Sequence, residues 1–367
     1  MTATVVIVGC GYGGATVAKA LDEIAEVIVV EPRDTFAHNV AALRATVDPR
    51  WSDRMFLPYD AFLARGRVVR DHAERVEPSA VVQRSGERLE ADFIVLATGS
   101  TYPFPAKIGL TGTTDAKNHL HRTREALEAA HSVLLLGAGP VGLEFAGEIK
   151  AAWPRKKITL VDPRERILDG MPEEMGVEVG RQLVEMNVEL ILGTSLLQEP
   201  PSEPGHHKTF TAALASGIEV TADIWFRCFG AAPVTGYLGD ELTTARQPSG
   251  LLEVQATLQL AGQETVFALG DITSIPEPKK AKAAEEHGAV IAANIQALIE
   301  GGAELATYRT GAPMMALSLG PAAGASYTPA TGLLGPEATA RVKSADLRAE
   351  FYEQLFGLSR PNTLAKG

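Results

Sequence analysis

The sequence predicts an α/β chain that uses one strand–turn–helix–strand unit twice and ends in a small α+β unit. Three observations carry that expectation. Short uninterrupted apolar runs, TVVIV at 4–8 and SVLLL at 132–136, have the length of strands and the composition of strands buried on both faces. Each run enters a glycine-rich turn, GCGYGG at 9–14 and GAGPVG at 137–142, and a helical pattern follows. The 367 residues exceed what one hydrophobic core organises, so two or three domains are expected.

The elements follow in order. After the first turn, ATVAKALDEI at 15–24 reads as a helix and VIVVEP at 27–32 as the next strand. ADFIVLA at 91–97 is a further strand. The pattern then restarts 128 residues after Gly9: helix LEFAGEIKAA at 143–152 and strand KITLVDP at 157–163. PPSEPGHHK at 200–208 is a surface loop by composition. ADIWFRCFG at 222–230 mirrors ADFIVLATG at 91–99, and TVFALGDI at 265–272 is a buried strand ending in Gly-Asp. A long helix is expected from Ala281. The predicted domains are 1–108 with 236–308, then 109–235, then 309–367. In the last, Leu347, Phe351, Leu355 and Leu358 stand at helical spacing, a stripe for docking on the protein, for a homodimer or for a peripheral membrane contact.

Composition removes several functions. Hydrophobic residues are 46% and charged residues 22%, an ordinary globular balance, and the formal net charge is −11, which disfavours nucleic acid as a partner. The two cysteines, Cys10 and Cys228, are too far apart for a zinc site or a local redox dithiol. They read as buried thiols in a reducing cytoplasm. Met1 to Ala18 carries no charge, but it lacks the basic start of a signal sequence, and Thr2 is not the glycine that myristoylation needs. His119, His121, His206 and His207 have no acid or cysteine cluster beside them and read as surface histidines, with no metal expected.

The glycine turns carry the chemistry. Gly9 permits a tight turn, Gly11 lets backbone approach a pyrophosphate, and Gly14 allows the helix to lie close on the strand. Glu31 follows 22 residues after Gly9, where a carboxylate accepts ribose hydroxyls. Gly137, Gly139 and Gly142 repeat the spacing, with Asp162 25 residues after Gly137. Two such units, each between a strand and a helix, imply two dinucleotides. Gly270 and Asp271 decide which site holds which: an acid at the end of a late strand, just before a helix, suits the ribityl chain of a flavin. FAD is therefore expected at the first turn and NADH at the second. Asp162 would repel a 2′-phosphate; Arg164 and Arg166 soften that choice and leave NADPH open.

These motifs resemble the two-dinucleotide-binding-domain flavoproteins over nearly the whole chain, on GCGYGG, LATGS at 96–100, GAGPVGLE at 137–144 and FALGDI at 267–272. HNVAALRA at 38–45, GSTYPFP at 99–105 and EPKKAKAAEEHGAVIAANI at 277–295 resemble the ferroptosis-suppressor branch of the apoptosis-inducing-factor family. Type II NADH dehydrogenases are more distant. The resemblance implies two Rossmann-like domains and an FAD-dependent NAD(P)H:quinone oxidoreductase. It implies that Arg44 contacts FAD, that the backbone of Val68 meets its adenine side, and that Asp271 holds its ribityl chain. It places Glu144 and Lys279 near the flavin–nicotinamide region as the catalytic pair, Glu144 pairing with Lys279 or orienting the nicotinamide. His38 and Asn39 are expected to line the flavin side. Tyr12, Gly13, Thr98, Gly99 and Gly230 lie in the same turns and strand ends and complete the cofactor-binding set. His287 reads as packed or surface, with a proton-donating role as the alternative.

The chain departs from the family at Lys280, Lys282, Glu285 and Glu286, which make the last long helix polar. If this helix borders the acceptor pocket, a small polar quinone or another acceptor is favoured over a long-tailed quinone. Reduction of a small electron-carrier protein, and a redox-gated flavoprotein that binds a protein partner, are the alternative functions.

Overall fold

The computed structural model describes residues 2–358. The apolar runs become the central strands of two parallel sheets. In the first sheet the order is Val266–Ala268, Phe93–Leu96, Thr4–Val8, Glu26–Val30 and Arg67–Val69, every neighbouring pair parallel. Val5, Val6 and Ile7 are wholly buried, because helices and loops cover both faces of a parallel sheet. The second sheet runs Val188–Leu192, Lys157–Asp162, Ser132–Leu136 and Ile224–Arg227, again all parallel. One strand of the first sheet, Val266–Ala268, comes after the whole of the second sheet in sequence. A three-stranded antiparallel sheet, Ala73–Glu77, Ala80–Gln83 and Arg88–Glu90, extends the first unit.

Both helices after the glycine turns begin earlier than their apolar periodicity suggests, at Tyr12 and Pro140 rather than at residues 15 and 143. The added residues are Tyr-Gly-Gly and Pro-Val-Gly, too short and too glycine-rich to carry an apolar periodicity. Gly13 also explains a close crossing. A Cβ there would lie 2.5 Å from the Ala284 carbonyl oxygen, and one at Gly288 would lie 2.8 Å from that of Gly13. The helix Tyr12–Leu21 thus rests backbone to backbone on the long helix Ala281–Ile299.

The C-terminal unit is a three-stranded antiparallel sheet, Met315–Ser318, Gly324–Thr328 and Gly332–Leu334, followed by short helical segments. Its last helix, Ala349–Leu355, corrects the expected apolar stripe. Leu347 and Arg348 both have positive φ, 51° and 62°, so the helical phase breaks between Leu347 and the rest. Phe351 ends up half exposed, while Tyr352 and Phe356 are buried. Tyr352 packs on Tyr12, Phe36 and His38, and Phe356 stacks on Phe62 with centroids 4.4 Å apart. The segment docks on its own first domain. Among the described residues no helix is long and apolar enough to cross a membrane.

Candidate cofactor and active site

The two glycine turns have the same construction. Gly9 and Gly137 take φ of +100° and +105°, which L side chains rarely adopt. A Cβ at Gly14 would sit 2.2 Å from the Gly9 oxygen, and one at Gly142 only 1.9 Å from the Gly137 oxygen. A Cβ at Gly11, by contrast, would meet nothing within 4 Å. Neither helix has a side-chain cap. A Cβ at Gly139 would meet only the Arg164 guanidinium, at 3.6 Å, so each first turn presents backbone amides without a side-chain cap beside a glycine that no backbone crowds, and this donor set fits a pyrophosphate.

The acids repeat as well, with a detail that sequence reading missed. Glu31 Oε2 accepts the Cys10 N–H at 2.8 Å, and its Oε1 accepts the Arg33 N–H at 3.0 Å and the Arg33 guanidinium at 3.2 Å. Asp162 Oδ2 accepts the Ala138 N–H at 2.7 Å, and its Oδ1 accepts the Arg164 N–H at 2.9 Å. The Arg164 guanidinium grips both Asp162 oxygens, at 2.8 and 2.7 Å. The signal was present as EPR at 31–33 and DPR at 162–164. Burial opposes ionisation of Asp162, but the bonds from Arg164 and Ala138 hold its carboxyl below the usual range.

Asp271 lies in a short turn, Gly270–Ile272, and not directly before the helix as expected; the helix starts ten residues later, at Ala281. The intervening segment is tied by Lys279, whose Nζ donates to the carbonyls of Thr273 at 2.7 Å and Ile275 at 3.0 Å. The helix then returns, so that Ala284 Cβ lies 3.2 Å from where a Gly270 Cβ would be. Asp271 Oδ2 accepts from Ser100 Oγ at 2.5 Å and Lys107 Nζ at 2.9 Å. Burial raises its carboxyl, yet the Lys107 charge and the Ser100 hydroxyl outweigh burial and hold it low. Lys107 was not anticipated. His287 is buried, its Nδ1 accepting the Gly270 N–H at 3.0 Å, so the packed reading fits. Its Nε2 lies 2.8 Å from Glu277 Oε1 without hydrogen-bond geometry.

Several expected cofactor contacts have other partners. Arg44 is buried and binds Glu148 through three bonds of 2.8 to 3.1 Å, while its third nitrogen donates to the Ala345 carbonyl at 3.2 Å. It therefore joins the first unit, the second unit and the C-terminal unit. Tyr12 OH accepts the Val40 N–H and lies 3.2 Å from His38 Nδ1. His38 Nε2 faces the Leu347 carbonyl at 2.9 Å, and burial lowers its pKa to about 4, so the ring is neutral. Asn39 Oδ1 accepts the Ile108 N–H at 3.0 Å. Thr98 Oγ1 donates to the Val234 carbonyl at 2.6 Å, and the Val234 N–H donates to the Gly99 carbonyl at 2.9 Å. Val68 is half-buried on the edge strand beside Val29. Gly230, with φ +98°, ends the second sheet as Gly99 ends the first.

The expected pairing of Glu144 with Lys279 does not form, because Lys279 is taken by two carbonyls. Lys343, from the C-terminal unit, reaches Glu144 Oε1 at 2.5 Å. Ser318 adds its N–H at 3.2 Å and its hydroxyl at 3.3 Å to the same oxygen. Glu144 stands in the first turns of the helix that opens from the second glycine motif, and it is oriented across a unit boundary. Nothing in the local sequence marks Lys343, which is 199 residues away.

The residues 3–288 match the family model described as pyridine nucleotide-disulphide oxidoreductase. The chain belongs to that family. It is a flavin-dependent NAD(P)H oxidoreductase with FAD and NAD(P)H as its cofactors. It is 30% identical over 370 residues to apoptosis-inducing factor homolog B of Dictyostelium discoideum, covering 95% of both chains. It is 33% identical to ferroptosis suppressor protein 1 of Xenopus tropicalis, covering 86% of both. In fold it is similar to the sulfide:quinone oxidoreductase of Aquifex aeolicus, with a TM-score of 0.74 at 18% identity over 98% of this chain and 93% of that one. It is also similar to an NAD-dependent persulfide reductase from A. fulgidus, with a TM-score of 0.65 at 20% identity over 83% of this chain; it spans 60% of that protein.

Proposed function

We propose that the protein is an NADH-preferring reductase of a small quinone-like acceptor. Residues 1–108 and 236–308 are assigned to FAD, 109–235 to the nicotinamide nucleotide, and 309–367 to the acceptor side. Gly9, Gly11, Gly13, Gly14 and Glu31 are assigned to the adenosine pyrophosphate half of FAD, and Asp271 to its ribityl chain. Gly137, Gly139, Gly142 and Asp162 are assigned to NADH. The bound flavin supplies the redox chemistry, taking a hydride from the nucleotide and giving electrons to the acceptor.

The state of the cysteines carries this reading. Both are buried; burial pushes the Cys228 thiol up to about 12 and raises Cys10 well above its ordinary value. Neither supplies the thiolate that a disulfide relay requires. Electrons must then leave the flavin directly, which suits a quinone. The resemblance to ferroptosis suppressor proteins supports the same acceptor class.

Glu144 and Lys343 are the chain's own groups for this step. The lysine holds Oε1, and Oε2 has no hydrogen-bond partner among the described residues, which leaves it to orient a nicotinamide amide. Lys343→Met is expected to lower kcat/KM by about 100-fold, with FAD content unchanged and with recovery in Lys343→Arg. Equal activity in the methionine variant would remove Lys343 from the site. The proposal as a whole is checked by adding NADH to the anaerobic yellow protein and then a water-soluble quinone. Bleaching of the flavin band followed by rapid recovery is expected; bleaching that persists after quinone would refute a quinone acceptor.

Nucleotide choice has its own test. Arg164 neutralises Asp162 and extends a partly exposed guanidinium beside Gly139, 3.6 Å from where a Cβ would be. The preference for NADH is therefore expected to be modest. Arg164→Ala should uncover the Asp162 charge and raise the NADH/NADPH ratio of kcat/KM by about tenfold; an unchanged ratio would place Arg164 outside the 2′ position.

A further inference from the structure

The histidines read as scattered surface residues converge. His119 and Arg122 on the helix Thr113–Ala129, together with His206 and His207 from the loop at 200–208, line one recess of about 540 Å³. None of Gly137, Gly139, Gly142, Asp162 or Glu144 lines it. Its volume is in the range of small-molecule sites and far exceeds a single ion.

The recess is held by more than side chains lying near each other. Gly205 has φ +80°, and a Cβ there would come 3.3 Å from the Phe226 ring, so the loop lies flat on the strand Ile224–Arg227. The Gly205 N–H donates to the Trp225 carbonyl at 2.9 Å, and the Trp225 indole N–H donates back to the Ser202 carbonyl at 2.9 Å. The Lys208 N–H donates to the Asp223 carbonyl at 2.7 Å. The His206–His207 step is thus fixed on both sides. Across from it, the His119 ring stacks on Phe104, centroids 3.9 Å apart and 8° from parallel, which fixes its plane.

The charge of the lining is one-sided. No carboxylate lines the recess, in a protein whose formal net charge is −11. On the same helix His121 and Arg124 are taken up by Glu125 and Glu128, whereas Arg122 has no carboxylate within salt-bridge distance among the described residues. Burial lowers the pKa of His119, and the charges of Arg122 and His206 lower it further; no acid offsets them. The histidines are not arranged for a metal: among the described residues no three His, Cys, Asp or Glu side chains are grouped to hold one. A guanidinium fork with several imidazole N–H donors is the donor set for phosphate oxygens.

We propose that this recess binds a small phosphate-bearing anion, through Arg122, His119, His206 and His207, at a site separate from both dinucleotide turns. The inference does not depend on the electron acceptor. It is tested with the FAD-loaded protein saturated with NAD⁺, titrated calorimetrically with inorganic pyrophosphate, and in parallel sedimented with vesicles containing a phosphoinositide. Single-site pyrophosphate binding is expected, weakened by about tenfold or more in Arg122→Gln and in the double variant His206→Gln, His207→Gln. NADH oxidation should stay unchanged in both. Vesicle binding lost in these variants, with no free pyrophosphate bound, would assign the phosphate to a lipid headgroup at the same recess. Absence of binding in both arms, or binding equal in the wild type and the variants, would overturn the proposal. Where calorimetry shows pyrophosphate bound, the His119 ring resonances give a second readout: saturation should shift them, and unshifted resonances beside that binding would equally overturn the proposal.

Discussion

Arg44→Ala is expected to destabilise the protein by about 3–5 kcal/mol. The guanidinium and the Glu148 carboxylate are both almost wholly inaccessible, with side-chain exposures of 2% and 4%. Removing the arginine leaves a buried charge without its partner, and that costs far more than an exposed ion pair returns. Burial already raises the Glu148 carboxyl above its ordinary value against the opposing pull of Arg44. The variant should raise it further. A raised folded-state pKa means that stability is lost as pH climbs through it, so the deficit should be larger at pH 8 than at pH 5. Arg44→Met combined with Glu148→Leu should recover most of the loss, because two apolar groups need no compensation. Thermal denaturation of the FAD-free protein at both pH values is the measurement. If stability is unchanged while FAD affinity falls, Arg44 serves the cofactor and not the junction. The ion pair also joins three units in one place, so the variant should loosen the C-terminal unit, visible as faster amide exchange around Ala345.

Gly142→Ala and Gly139→Ala are expected to separate two roles that one motif combines. An alanine Cβ at 142 would lie 1.9 Å from the Gly137 backbone oxygen, with Leu160 Cδ2 3.1 Å away, which leaves little room to yield. The loss should reach about 3 kcal/mol, at the upper end for overpacking, and the second unit should melt earlier. At 139 the nearest atom is the end of the flexible Arg164 side chain, at 3.6 Å. Gly139→Ala should keep its stability yet bind NADH about tenfold more weakly, because the added methyl stands where the pyrophosphate approaches. Fluorescence titration with NADH beside a melting curve distinguishes them. A stable Gly142→Ala, or a Gly139→Ala that binds NADH normally, would refute this division of roles. Gly14→Ala and Gly11→Ala should behave alike for FAD.

The neighbouring-residue features of this protein were legible in its sequence. A buried parallel strand needs an uninterrupted apolar run, and TVVIV and SVLLL have it. A nucleotide turn needs glycines at fixed offsets, and Gly9 with Gly137 start two of them. Glu31 and Asp162, proposed to accept ribose hydroxyls, fall where strand length and turn length put them. The paired arginines also stood two residues beyond each acid: Arg164 was legible as a charge beside Asp162, and Arg33 repeats its spacing beside Glu31.

Tertiary structure decided what lies between units. Glu144 is oriented by Lys343 and Ser318, not by Lys279; Arg44 meets Glu148; Asp271 meets Lys107 and Ser100. The phase of the last helix was likewise set by two residues with positive φ, which made Tyr352 and Phe356 the buried face. Two distant pairs, His119 with Arg122 and His206 with His207, came together where Gly205 seats a loop on Phe226. The reason is common to all of these. Strand and turn signals come from steric and solvation effects among residues a few positions apart, which repeat along the chain. A side chain at the end of a long range contact is selected by the one partner that folding brings to it, and that partner leaves no mark on the residues beside it.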